Sequence, residues 1–332
     1  MYSLLLGYCL IVVFLSIFVL VLWGFAYSKY QNVKYVELTD WPSITIIIPT
    51  YNEANIILQT LQSLMSQIAT YSGTVEVLVI DDGSTDNTVS IIKVSFPEIA
   101  VVHDGKNKGK AQRVLQGAKL ATGDIVMLLD ADITLRENAL KVLVSALMKN
   151  PQASTVQPAI HQVAANVTTR WLGNLFAYFW ESFLRKAQGG MGVLSLWGCG
   201  CSMARKKDLL EAVERASTSL LFKVGGDDQA FALNGFVSVG MNMIYQPNAV
   251  VFHPQAKTAR AFFQQTRRHR GNRTAKLMAL VSLLSVRPYF AISMLALEVL
   301  FLITVRPVIE IVAWMLRCKK SWRPVNSRWS IQ

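Results

Sequence analysis

Two carboxylates one residue apart close an unbroken apolar run, Gly123-Asp-Ile-Val-Met-Leu-Leu-Asp-Ala-Asp132. Residues two apart on an extended chain point to the same side, so Asp130 and Asp132 would project together from the end of a strand. Two hard oxygen ligands with open positions beside them suit Mg²⁺ or Mn²⁺ carrying a phosphorylated substrate. The competing reading is a strand end that caps the following helix, and the pair alone does not decide between them.

The elements that must position this pair are legible from periodicity. Ile125 to Leu129 is apolar at every position, as a central strand covered on both faces requires. Upstream, Ser43-Ile-Thr-Ile-Ile-Ile-Pro-Thr-Tyr-Asn-Glu-Ala-Asn55 reads as a β-branched strand closed by Pro49 and a polar turn. Ile57, Leu61, Leu64, Met65 and Ile68 then recur at helical spacing. A second strand, Val75 to Ile80, runs into Asp81-Asp-Gly-Ser-Thr-Asp-Asn-Thr88, where Ser84, Thr85 or Asp86 can cap a helix. A third, Ile99 to His103, leads to Lys106-Asn-Lys-Gly-Lys-Ala111 and another helix. Strands alternating with helices predict an α/β, doubly wound parallel sheet, in which ligands gather at the carboxyl ends of the strands. Asp-Gly-Ser-Thr-Asp is also good turn chemistry. Three polar turns at one sheet edge, however, read as a nucleotide site.

Composition narrows the setting. The 332 residues are 52% hydrophobic and only 16% charged, against roughly 25% charged in average soluble chains, which points to membrane-embedded parts. The formal charge is +12, and the stretch from Lys257 to Arg287 holds eight Lys/Arg and no acid. Beside long apolar segments such a block suits an anionic membrane surface or substrate phosphates rather than nucleic acid. Cys9, Cys199, Cys201 and Cys318 form no disulfide framework or usual zinc knuckle, consistent with a reduced, cytosol-facing domain.

The motifs IIIPTYNEAN, VIDDGSTDNT, NKGKAQRVLQGAKLATGDIVMLLDAD, WGCGCSMARKKDLL, GGDDQAFAL and QQTRRH, in this order from about Pro42 to Arg273, strongly resemble the family 2 glycosyltransferases. These are inverting enzymes with the GT-A fold, here resembling the membrane-bound polysaccharide synthase branch (cellulose, chitin, hyaluronan and poly-N-acetylglucosamine synthases). The resemblance implies a mixed α/β sheet and a UDP-sugar donor. It also implies a glycan or lipid acceptor, and Mg²⁺ or Mn²⁺ as cofactor. It assigns Asp81 or Asp82 to the uridine, Asp130 to the nucleotide, and Asp132, with Asp130, to the cation bridging the diphosphate. Glu53, Gln265 and Arg268 join the nucleotide-sugar contacts. Lys110, on a glycine-containing loop beside the site, adds a positive charge near the phosphates, its competing reading being a solvated surface lysine.

Inverting transfer also needs a base for the acceptor hydroxyl. Asp228, in Gly225-Gly-Asp-Asp-Gln-Ala-Phe231, matches the second acid of the family's Glu-Asp, and here Asp227 stands before it. A neighbouring carboxylate makes a proton bind more tightly, which brings a base toward working pH. The competing reading is a helix N-cap pair. Trp197, Gly198 and Cys199 occupy the place of the acceptor loop, where glycine lets backbone approach and tryptophan stacks on a sugar. Gln265 and Arg268 match the Gln-x-x-Arg-Trp motif of processive members, but His269 replaces its tryptophan. Imidazole is a smaller platform at the acceptor, which leaves polymer synthesis and single transfer both open.

Leu4 to Tyr27 is long and apolar enough to span a bilayer, with Lys29 and Lys34 just after it, so positive-inside logic places the downstream domain in the cytoplasm. Asn174 to Gln188 reads as an amphipathic aromatic helix, at the membrane interface or in the core. Pro288 to Val305 can just span; Val308 to Leu316 is too short, and Arg306-Pro307 between them suggests a re-entrant hairpin. The expected organisation is an anchor over 1–40, a catalytic domain over 41–255, a basic interface region over 256–287 and a membrane segment with a basic tail over 288–332. Two or three spanning segments could hardly enclose a polymer channel, so a polymerase would need a homo-oligomer or a partner membrane subunit. A sugar-phosphate nucleotidyltransferase, or a non-catalytic sugar-binding subunit, is the alternative from another class. The first needs neither the anchor nor Asp227-Asp228, and the second would not retain Asp132 and Asp228.

Overall fold

A computed structural model describes residues 2–163, 183–195, 200–223, 227–254, 258, 273–300 and 303–304. Two units emerge, one of residues 1–22 and 292–332 and the other of residues 23–291. The larger holds an eight-stranded sheet. Its strands are β1 (Ile44–Thr50), β2 (Val75–Asp81), β3 (Ala100–Val102), β4 (Ile125–Leu129), β5 (Thr134–Leu135), β6 (Ala153–Val163), β7 (Cys201–Arg205) and β8 (Asn242–Pro254). Their order across the sheet is β3-β2-β1-β4-β7-β6-β8-β5. The first four strands in that order run parallel, β7 is antiparallel to both β4 and β6, and β6 and β8 are parallel. The sheet is therefore mixed, as the resemblance implied, and not the parallel sheet that strand–helix alternation predicts, because β7 runs antiparallel between β4 and β6 and β5 runs antiparallel to β8.

Strands β1 and β4 are buried along their whole length, and the period of two divides their side chains between two layers. Ile44, Ile46 and Ile48, with Ile125, Met127 and Leu129, share a core with Leu61 and Leu64 of α2 (Ile57–Ile68) and Leu140 and Leu143 of α5 (Ala139–Lys149). Ile47 faces the other way, toward α4 (Lys110–Leu120), where a Cβ on Gly117 would lie 2.6 Å from its side chain. Helix α7 (Lys206–Ser217) covers the same face beside α4. Two further short helices, α3 (Thr88–Ser95) and α6 (Arg185–Gly190), complete the elements used below.

Helix α1 (Tyr2–Ser28) is apolar on all sides, and Leu10, Ile11, Phe14, Ile17 and Val21 are each more than half exposed. Among the described residues it contains one segment, Gly7–Ser28, long and apolar enough to cross a membrane. Its last turns belong to the larger unit: Trp23 and Ala26 are buried, Tyr27 stacks on Phe183, and the Tyr30 hydroxyl donates to the Tyr245 carbonyl. Gly190 is obligatory at this joint, since a Cβ there would lie 1.9 Å from the Ala26 carbonyl oxygen. At the other end, Pro288–Leu300 is a shorter apolar helix. The expected segment over 308–316, the basic tail, and the amphipathic helix as far as residue 182 lie outside the described residues.

Candidate active site

The parallel strands β1, β2 and β4 end at one edge of the sheet, with Thr50 in register with Asp81. Their following loops are joined by side chains. Asn52 adopts the left-handed conformation (φ 57°) that a short amide side chain tolerates, and its Oδ1 accepts from the backbone N–H of Thr85 at 2.8 Å. In return the Ser84 hydroxyl accepts from the Asn52 N–H, and the Thr88 hydroxyl accepts from the Glu53 N–H, each at 2.9 Å. The sequence stretches TYNEAN and DDGSTDNT thus form one surface.

Asp81 and Asp82 build this surface from beneath. Asp81 is fully buried; its carboxylate accepts from the N–H groups of Gly83 (2.9 Å) and Ser84 (3.0 Å), from the Ser84 hydroxyl (2.5 Å), and lies 2.7 Å from His103 Nδ1. Gly83 holds φ +77°, and any Cβ there would strike the Lys106 backbone. Burial raises the Asp81 carboxyl, but the hydrogen bonds from Ser84, His103 and Gly83 outweigh it and hold the group below its ordinary value. Asp82 accepts from the N–H of Lys108 (2.6 Å) and Gly109 (3.0 Å) and from Arg113 Nε (3.0 Å). Each carboxylate oxygen has two lone pairs, so Asp82 retains one open position, on Oδ2.

Replacing Ser84 by alanine strips one hydrogen bond from the buried Asp81 carboxylate, an expected loss of about 1–3 kcal/mol of stability near neutral pH. Because the folded Asp81 sits below its unfolded value, its contribution is complete above about pH 4 and disappears as pH falls through the folded value. The deficit of the variant should therefore shrink at acid pH, which urea melts across a pH series will read.

Asp130 and Asp132 follow β4, as the apolar run requires. The Asp130 N–H donates to the Gly200 carbonyl at 2.8 Å, and the Gly200 N–H donates to Asp130 Oδ2 at 3.2 Å. The antiparallel strand β7 thereby delivers Gly200 to the site, while the Thr60 hydroxyl of α2 ties down the Ala131 carbonyl at 2.8 Å. Lys110, the first residue of α4, places Nζ 2.9 Å from Asp130 Oδ1 and 3.7 Å from Asp228 Oδ1. One ammonium thus joins the carboxylate at the end of β4 to the expected base. Asp227 begins the short helix Asp227–Gln229 that carries Asp228.

A residue that sequence reading missed completes this edge. His253, on β8, places Nε2 3.5 Å from Asp132 Oδ2. Its only signal in the sequence was a histidine closing the apolar end of a strand, with no spacing to connect it with Asp132. Glu53 lies beside the same acids: burial, then Asp132, Asp130 and Asp86, push its carboxyl up to about 7. Trp197, Gly198, Cys199, Gln265, Arg268 and His269 lie outside the described residues. Cys201 is buried and free, a small apolar filler of the core.

These residues fit a divalent cation. Carboxylate oxygens suit Mg²⁺ or Mn²⁺, a neighbouring imidazole nitrogen suits Mn²⁺ better than Mg²⁺, and, after burial, the negative charge of Asp132, Asp130 and Asp86 is what raises Glu53. Among the described residues no three His, Cys, Asp or Glu converge into a cage. A cation held by one or two protein groups leaves its other positions to water and substrate phosphate, the usual arrangement for Mg²⁺.

The profile of Glycosyl transferase family 2 matches residues 45–213, just over half of the chain. The chain belongs to this family. An N-acetylglucosaminyltransferase of Rhizobium sp. (strain N33) is 29% identical over 192 residues, covering 54% of this chain and 41% of that protein. The poly-beta-1,6-N-acetyl-D-glucosamine synthase of Staphylococcus epidermidis is 34% identical over 135 residues, covering 39% of this chain and 29% of the synthase. This family 2 glycosyltransferase therefore spans less than half the length of these two relatives. The mannosyltransferase PcManGT of Pyrobaculum calidifontis, solved with GDP-Man and Mn²⁺, superposes with a TM-score of 0.63 at 23% identity, covering 88% of this chain and 81% of that one. That likeness supports the GT-A fold.

Proposed function

We propose that this family 2 glycosyltransferase moves an N-acetylhexosamine, or a hexose, from a UDP-sugar to a polysaccharide or glycolipid acceptor at the cytoplasmic face of a membrane. The observation that carries the reading is the Lys110 ammonium, set between Asp130 at the end of β4 and Asp228. Donor charge and acceptor proton would meet across that side chain. The names of the Rhizobium and Staphylococcus relatives favour N-acetylglucosamine among the sugars.

In this reading Asp228 takes the proton of the acceptor hydroxyl as it attacks the anomeric carbon, inverting that centre as the donor C–O bond breaks. The leaving diphosphate gathers negative charge, and Lys110 stands ready at its edge. Asp132, with Asp130 or His253 beside it, would hold Mn²⁺ or Mg²⁺. Such a cation supplies Lewis-acid neutralisation of the leaving group. Helix α1 would anchor the chain to a membrane, where a lipid-linked or growing glycan would be presented.

The test is a panel of labelled UDP-sugars offered with Mn²⁺ to membranes carrying the chain. UDP-N-acetylglucosamine should be consumed in preference to the others, with label transferred to an extractable lipid or a longer glycan. Consumption of none of the panel would refute the reading, and product length on a sizing gel would separate polymerase from single transfer.

A further inference from the structure

Arg113 of α4 is wholly buried, yet it touches none of the acids so far given a chemical role except Asp82. Its five N–H donors are all engaged. Nε donates to Asp82 Oδ1 at 3.0 Å; Nη1 donates to Gln116 Oε1 at 2.9 Å and Asp104 Oδ2 at 3.3 Å; Nη2 donates to Asp104 Oδ1 at 2.6 Å and to the Lys106 carbonyl. One guanidinium thus joins the end of β2, the loop after β3 and the first turns of α4. Between those points lie Gly105 and Gly109, both at positive φ, and the exposed Lys106 and Lys108.

We propose that Arg113 is a positioning residue for the donor, a latch that holds the loop 104–110 so that Lys110 is aimed at the nucleotide edge before the donor arrives. The inference rests on the donor site described above. A buried ion pair is poor evidence for a stabilising role, because apolar residues of similar volume often do as well or better. What the Arg113 fork does that an apolar side chain could not is fix two loops at defined distances. Both loops border the donor edge: Asp82 receives the N–H groups of Lys108 and Gly109, and Lys110 follows at once. A loop ordered in advance lowers the cost of binding, so loosening it should appear in donor affinity rather than in turnover at saturation.

Two variants test the latch. Arg113→Lys keeps the charge but offers donors from one point, which cannot span Asp82 and Asp104 together. Asp104→Asn alters a side chain 34% exposed and leaves the buried Asp82–Arg113 pair in place, so it should fold even if Arg113→Lys does not. Glu211→Gln, which removes an exposed pair with Arg215 on α7, is the control. With purified full-length chain, UDP binding in the presence of Mn²⁺ is measured by calorimetry and trypsin cleavage after Lys106, Lys108 and Lys110 by mass spectrometry. Donor KM and kcat are measured alongside.

The expected result for Asp104→Asn is an unchanged melting temperature, faster cleavage in the loop, and UDP affinity and donor KM each worse by about tenfold, with kcat within about threefold of the parent. Arg113→Lys, where folded, should match or exceed these losses. Parent-like UDP affinity in Asp104→Asn would overturn the proposal, whether or not its loop is cut faster. A parent that binds no UDP would instead overturn the donor reading, so the two failures are distinguishable.

Discussion

Asp228→Asn is expected to lower kcat by about 10²–10⁴-fold, the usual worth of a positioned general base, while UDP affinity stays within about twofold of the parent. The substitution preserves shape and removes the carboxylate proposed to take the acceptor proton. Donor binding should survive because the proposed donor edge is built by the ends of β1, β2 and β4, and Lys110 lies 2.9 Å from Asp130. Single-turnover transfer of labelled sugar, measured beside calorimetric UDP binding, separates the two effects. If the variant transfers sugar at the parent rate, Asp228 is not the base. If it loses UDP binding as well, its role is to hold Lys110 in place.

Asp132→Asn should weaken Mn²⁺ binding in the presence of UDP by more than about 100-fold, beyond the 10–100-fold loss that outer partners of a metal site usually cause. Transfer should be lost in parallel and return only in part with excess Mn²⁺. His253→Ala gives a second measurement at the same edge, because its Nε2 lies 3.5 Å from Asp132 Oδ2. An affinity loss of about 10–100-fold is expected there, whether the imidazole binds the cation or orients the carboxylate. Mn²⁺ titration followed by electron paramagnetic resonance reads affinity without depending on turnover. Full activity in excess chelator would remove the cation from the mechanism.

The strand-end geometry of the candidate site was largely legible before the fold was known, because its parts are consecutive in sequence. An all-apolar strand ending in Asp130-Ala-Asp132 can be read from side-chain period and hydrophobicity, and β4 indeed ends at Leu129. The helix from Ile57 to Ile68 followed from its apolar spacing. Turn chemistry marked Asp81 to Thr88 as a loop, but not that Asp81 and Asp82 would spend most of their hydrogen-bonding capacity on the protein. That depends on His103 and Arg113, which arrive from 22 and 31 residues away.

The sequence by itself determined the strand–helix alternation, the apolar N-terminal helix and the acids at the sheet edge. Each is set by a local period of two or 3.6 or by an unbroken apolar run. Only the tertiary structure decided that β7 runs antiparallel and brings Gly200 to Asp130, that His253 meets Asp132, and that Lys110 stands between Asp130 and Asp228. Those contacts join residues 70, 121 and 118 positions apart along the chain. No periodicity records such a distance: strand order and the packing of helices across the sheet set it, and both are properties of the whole core.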